Sequence, residues 1–562
     1  MAFSPRIGRP LVAALALAAL AGCGARQDPE TIYPAGAESG NPPRPGGKAV
    51  LVREEDPDYL DPALSYGVYS APVTEAIFHT LLDYRGVPGP AGAEMVPDLA
   101  ESLPDIREGG RLYAFKVRED ARFSAPLRRK ITAADFKYSI ERLFAVNSPG
   151  VPFYRSIVGA EDLLAGRTKQ LSGVIARGDS LYVRIREPDP VFLQILTMTF
   201  TSPVPREIAE AHPDDFSQHT VASGPFMVAD FVPRVRVLLV RNPDYCGPPA
   251  WLDTIEVRLG VSTANAVAMI RRGLAHGGFF EVPSSEVGRI RRDPFWSRQI
   301  DVADGLNTSY LFMNVQQPPF DDVRVRQAVS WALDRRAFVK VYAGKTLPAH
   351  EFLPLGMPGV EPKHMYEGPD LEKARALLAE AGYPDGFTTK LYGYTAEPTP
   401  REVAIVQQQL AQIGIHCELD LGEAVGYTSM AGDTSRRIPF GYYAWTADYV
   451  DPSNFIDVLM NGLRITPKQN LNLSLFNDPD VNAMIYHAMR EPDDSTRIAM
   501  WNRIDRTILE RAPIAPLHHQ LESRLYGPAL GGWYRHITRI LKLEQLYLKR
   551  PRAEAPREAR VP

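Results

Sequence analysis

Apolar and polar positions change their period several times along the chain, and each change marks an element. Residues 48–54 (KAVLVRE) form a short apolar run of β-formers and predict a strand. Residues 70–82 then set Val73, Ile77, Leu81 and Leu82 on one side of a helix. Residues 111–118 (RLYAFKVR) alternate as a strand does. Thr132, with Asp135 three positions on, offers a side-chain cap for a helix running to about Phe144. Two strands, PFMVADFV and VRVLLVR, fall within 221–245 and stop at the turn Asn242-Pro243-Asp244. The second half is more helical. Residues 321–342 carry Val325, Val329, Ala332, Leu333 and Phe338 at helical spacing, and 370–381 predict a helix ended by Gly382. Helices over 400–413 and 495–510 are interspersed with strands near 388–394 and 415–421. Mixed periods of this kind predict α/β lobes.

The two ends depart from globular patterning. Arg6 and Arg9 precede ten consecutive apolar residues (LVAALALAAL), too few to cross about 30 Å of hydrocarbon as a helix. The string Leu20-Ala21-Gly22-Cys23 resembles a bacterial lipobox. That resemblance makes 1–22 a lipoprotein signal peptide and Cys23 the lipidated residue, so that acyl chains rather than protein would anchor the chain on the extracytoplasmic side. Residues 23–47 then read as the lipidated cysteine and a Gly- and Pro-rich flexible tether. Residues 549–562, charged and Pro-rich, predict a disordered tail.

Composition narrows the class. The chain has 562 residues and a net charge of −4, which argues against a nucleic-acid partner because phosphate recognition needs a basic surface. Only Cys246 and Cys417 remain beyond Cys23, and they read as separate structural thiols. Signature strings for nucleotide-binding loops, zinc proteases and serine hydrolases do not occur. His518 and His519 are neighbours, but adjacent strand side chains point apart and make a poor chelate. No metal, cofactor or catalytic residue is nominated, and no enzyme activity is expected.

Several segments together resemble the extracytoplasmic solute-binding proteins of peptide ABC importers, the dipeptide- and oligopeptide-binding family. Leu60-Asp61-Pro62 resembles its opening segment and Val96–Ser102 (VPDLAES) its next conserved string. Residues 112–123 (LYAFKVREDARF), with ITAADF and SIER up to Arg142, match the signature region. SGPF at 223–226, RNPDY at 241–245, the PPF…VRVRQA stretch from Pro318 to Ala328 and WTADYVDP at 445–452 follow in family order. Residues 123–130 (FSAPLRRK) depart from the usual loop, and Cys246 stands where the family often has tryptophan.

The resemblance implies a two-lobed periplasmic-binding-protein-like fold of type II, with an extra domain, closing around ligand by a hinge. Lobe 1 would span 48–305, with the extra domain at about 86–220. Lobe 2 would span 306–519, and residues 520–548 would return to lobe 1. The crossings would lie near Asn307–Val315 and Ile514–Gln520. The implied function is peptide capture outside the cytoplasmic membrane and delivery to a permease with cytoplasmic ATPases, by a protein expected to be a monomer.

Asp448, the aspartate of the WxxDY string, would hold the peptide α-ammonium. Trp445 would wall the same pocket, and Tyr66 would touch ligand from the opposite lobe. Arg436, Arg437 and Arg464 are candidates for the ligand carboxylate, with no choice among them. Three other readings stay open: the same fold holding a nickel chelate, haem, oligosaccharide or opine; a secreted hydrolase; and a chaperone or receptor using the same groove for signalling.

Overall fold

The computed structural model describes residues 43–549, apart from Val68, Tyr69, Ala343, Pro492 and Arg539. The predicted signal peptide, Cys23 and nearly all of the predicted tether and tail lie outside the described residues. Among these residues no helix is long and apolar enough to cross a membrane.

Three sheets organise the chain. In the first, Lys48–Val52 runs parallel to Thr254–Arg258 and to the short strand Gly277–Gly278. Arg236–Arg241 and Phe226–Val232 extend it as an antiparallel hairpin. Helix Ala71–Ile77 packs on this sheet through Val73, Ala76 and Ile77. The second sheet orders Asp105–Arg107, Leu112–Lys116, Ser180–Arg184 and Val174–Arg177. Helix Ala133–Ala145 covers it with Phe136, Ile140 and Leu143, after the Asp135 carboxylate accepts the Thr132 N–H at 2.8 Å, as the spacing predicts.

The third sheet is centred on Asn307–Met313, all seven residues of which are buried. Alternation sends Tyr310 and Phe312 into one core and Leu311 and Met313 into another, so both faces are covered. Its neighbours are Phe440–Thr446 and Ile514–Leu525, and Phe387–Tyr394 beside Ile415–Gly422 completes the far side.

The 12-residue strand Ile514–Leu525 joins the lobes. Its first part pairs with Ser309–Phe312 and its last part with Ile300–Asp304. The neighbouring imidazoles point apart as expected: His518 pairs with the buried Glu402, and His519 Nε2 lies 3.2 Å from Glu351.

Two predicted helices are shorter than their apolar pattern. The helix from Ala71 stops at Ile77, because the Ile77 carbonyl accepts the N–H groups of Ser223 and Gly224 instead of continuing the ladder. Leu81 and Leu82 therefore enter the core of the second sheet as extended chain. Gly224 is needed there, since a Cβ would sit 2.7 Å from His79 and 3.0 Å from the Ala76 carbonyl. Residues 321–342 divide into Val323–Ala332 and Arg336–Val341. At the break, buried Arg335 donates to the carbonyls of Pro516, Ser330 and Tyr366. Cys246 and Cys417 are free thiols in different cores.

Asp61 of the LDP string accepts both terminal nitrogens of Arg142 at 2.7 and 2.6 Å, and both side chains are buried. Removing one partner leaves the other as an orphaned buried charge. Arg142→Met is expected to cost about 3–5 kcal/mol of unfolding free energy in urea; a loss below about 1 kcal/mol would show the pair to be dispensable.

Candidate functional site

A cavity of about 120 Å³ lies between the lobes. Tyr66, Glu75 and Phe200 line it on the side of the first two sheets, and Ala447 and Asp448 on the side of the third. Thr538 and Ile540 of the C-terminal segment complete it. Its volume corresponds to about four waters, against roughly 300–1,000 Å³ for ordinary ligand sites. A larger ligand therefore enters with the lobes further apart than they stand here.

Asp448 sits two residues beyond strand Phe440–Thr446, where the chain turns toward helix Ser453–Met460. Asn454 fixes that turn. Its Oδ1 accepts the Asp448 N–H at 3.1 Å and the Trp445 indole N–H at 2.9 Å. Its Nδ2 donates to Asp448 Oδ2 at 3.1 Å. The other carboxylate oxygen accepts the Tyr66 hydroxyl at 2.8 Å, across the gap between lobes. Asp451 acts behind the turn: it accepts the Ser453 N–H at 2.9 Å and Arg497 Nη1 at 2.8 Å.

Tyr66 is held by its own loop. Asp58 accepts the backbone N–H groups of Tyr66 and Gly67 at 2.8 and 2.7 Å. The Tyr66 ring packs near Phe200 and Phe153, with centroids 5.6 and 6.3 Å away. Tyr449, two residues beyond Ala447, is buried in the core of the second sheet. Arg490 Nη2 donates to Glu187 at 3.0 Å in a further bridge between lobes. The lobes are therefore in contact.

The structure brings Asp448 and Tyr66 together and sets Trp445 one step back. Trp445 is 7% exposed and lies in the core of the third sheet. It is not among the residues lining the cavity. Instead of a cation–π wall, it supplies a hydrogen bond that orients Asn454. Asn454 itself carried no signal in the sequence. The arginine candidates also fall away from the cavity: Arg464 is paired with the buried Asp457, and Arg436 lies on the surface, 3.9 Å from Asp433. No arginine or lysine lines the cavity among the described residues.

Burial pushes the Asp448 carboxyl up to about 6, against the hydrogen bonds from Tyr66 and Asn454 that hold it down. Among the described residues, its hydrogen-bond partners are two neutral donors and no cation.

A two-lobed α/β body carrying a cavity between its lobes defines the class of solute-binding proteins. Residues 94–465 match the family model described as bacterial extracellular solute-binding proteins, family 5 Middle, and the chain belongs to that family of binding proteins. Among its relatives, the periplasmic oligopeptide-binding protein OppA of Salmonella typhimurium is 27% identical over 522 residues, covering 89% of this chain and 92% of that protein. Heme-binding protein A of Haemophilus influenzae is 25% identical over 479 residues, covering 82% and 84%. The solved structure of clavulanic acid biosynthesis oligopeptide binding protein 2 superposes with a TM-score of 0.84 at 25% identity, covering 90% and 96%.

The raised Asp448 pKa has a definite sign. The folded state holds this proton more tightly than the unfolded chain, whose aspartates titrate near 3.9. Stability contributed by the protonated form is complete below about pH 4 and is lost as pH rises toward 6. Asp448→Asn, with its amide oxygen toward Asn454 and its NH₂ toward the Tyr66 oxygen, keeps both contacts. This variant is expected to be more stable than the parent by about 1–3 kcal/mol at pH 7.5 and equal to it at pH 4, by urea denaturation without ligand. A variant no more stable than the parent at pH 7.5 would contradict the assignment.

Proposed function

We propose that this protein captures peptides bearing a free α-ammonium outside the cytoplasmic membrane and delivers them to an ABC permease powered by cytoplasmic ATPases. Anchoring through lipid at Cys23 and a monomeric state belong to the same proposal. The observation that carries it is the Asp448 carboxylate, which faces the interlobe cavity with neutral partners only. An ammonium there makes a charge-assisted hydrogen bond in a poorly solvated site. The oligopeptide-binding relatives support the same reading.

Closure follows from differential contact. Asp448 belongs to one lobe and Tyr66 to the other, so a ligand amine touching both gains its full contacts only when the lobes meet. Ligand then shifts the population toward the closed form. That form presents both lobes together to a membrane partner. The rest of an extended peptide carries the same backbone whatever its sequence, and main-chain hydrogen bonds read it without demanding particular side chains.

Calorimetry with a tripeptide and its N-acetylated form tests this. The wild-type protein is expected to bind the free form and largely to reject the acetylated one. Asp448→Ala is expected to weaken the free peptide by roughly 2–5 kcal/mol. Equal binding of the two peptides by the wild-type protein, or an unaffected Asp448→Ala variant, would overturn the reading.

A further inference from the structure

The cavity holds a second carboxylate. Glu75, on helix Ala71–Ile77, lines it from the opposite lobe to Asp448. Among the described residues, Glu75 Oε2 accepts no hydrogen bond, and Lys542 Nζ lies 3.5 Å from it. That ammonium is already committed to both oxygens of Asp83, each at 2.8 Å. The other base in the cluster, His79, is engaged by Asp98 at 2.6 Å and by the Tyr245 hydroxyl at 3.0 Å.

Among the described residues, Glu75, Asp83, Asp98 and Glu544 cluster here around His79 and Lys542, with Arg118 acting on Asp98 alone of the four. Burial pushes Glu75 up to about 7; Lys542 opposes the rise, and Asp83 and Glu544 add to it. Asp448 adds a fifth acid at the same cavity without adding a base. A ligand with a single positive charge satisfies Asp448 and leaves Glu75 desolvated beside a shared counter-ion. Met198, Phe200 and Ile540 also line the cavity, and they offer apolar surface along which a long methylene stem can lie.

We propose that the site selects dicationic ligands: peptides whose first residue carries a basic side chain, with the α-ammonium on Asp448 and the side-chain cation on Glu75. This rests on the peptide reading above and narrows its substrate class.

The test compares Lys-Ala-Ala with norleucine-Ala-Ala, which share a stem and differ in the distal charge. Calorimetry of the wild-type protein at pH 8 is expected to favour the lysine peptide by tenfold or more. Glu75→Gln is expected to abolish that preference by weakening Lys-Ala-Ala relative to norleucine-Ala-Ala. Equal affinities in the wild-type protein, or a preference that survives Glu75→Gln, would overturn the proposal. Loss of discrimination against N-acetyl-norleucine-Ala-Ala would strike instead at the Asp448 reading, so the two failures are distinguishable.

Away from the cleft, His212, Asp215 and His219 meet on the surface. The imidazoles stack with centroids 3.5 Å apart. His212 Nδ1 lies 3.4 Å from Asp215 Oδ1, and His219 Nε2 lies 3.1 Å from Oδ2. All three donor atoms fall within 4.8 Å of one another. Ligands at about 2.0–2.1 Å around tetrahedral zinc are separated by roughly 3.3 Å, so the donor spacings suit one ion once the stacked rings, 18° apart, turn to aim their in-plane lone pairs at it. The geometry points to a divalent transition-metal site, zinc foremost, with water filling the open position.

Titration of the chain with Zn²⁺ alone is expected to show one site of micromolar affinity. His219→Ala should weaken it tenfold or more, and a Cys246→Ser, Cys417→Ser double variant should retain it. Absence of binding below millimolar zinc, or wild-type binding by His219→Ala, would overturn the site.

Discussion

A carboxylate without a cation, held between two lobes, is the constraint on which the rest depends. Asp448 is oriented by Asn454 from its own lobe and capped by the Tyr66 hydroxyl from the other. These donors stabilise its negative charge only in part, and burial still lifts its proton affinity. An enclosed acid with no counter-charge costs stability, as functional sites commonly do. In the proposed function, an arriving ammonium would remove that cost where Asp448 and Tyr66 sit together. On that proposal, binding and closure would be one event.

The scaffold serves that placement. The fully buried strand Asn307–Met313 pairs with the long strand Ile514–Leu525 at the centre of the third sheet. The turn carrying Asp448 is tied down by Asn454 and by the buried Asp451–Arg497 pair. The loop carrying Tyr66 is organised by Asp58 and backed by aromatic rings. Each half of the site is positioned by its own lobe, so relative motion of the lobes opens or completes it without reshaping either half.

Much of the fold was legible in the sequence because its signals are local. Thr132 with Asp135 marked a helix start, and the hairpin over 226–241 and the parallel strands beginning at 387 and 415 follow their apolar runs. Leu81 and Leu82 misled, since helical spacing could not show that the Ile77 carbonyl would be taken by residues 223 and 224. At the site, Asp448 and Tyr66 came from a resemblance rather than from chemistry visible along the chain. Trp445 was placed in the right neighbourhood with the wrong contact. Glu75 looked like an ordinary polar position of an amphipathic helix; only the packing of Lys542 and Glu544, almost 470 positions later, gives it meaning. The His212, Asp215, His219 spacing has no significance until the irregular chain between them folds back.

The most direct measurement is the proton released when a peptide with a free amine binds, read by calorimetry in buffers of different ionisation enthalpy. At pH 6 Asp448 is about half protonated, so pairing it with an ammonium should expel about half a proton from that residue. The release should exceed that of Asp448→Asn by this amount at pH 6, and the excess should vanish at pH 8. Identical proton release by the two proteins at pH 6 would contradict the account.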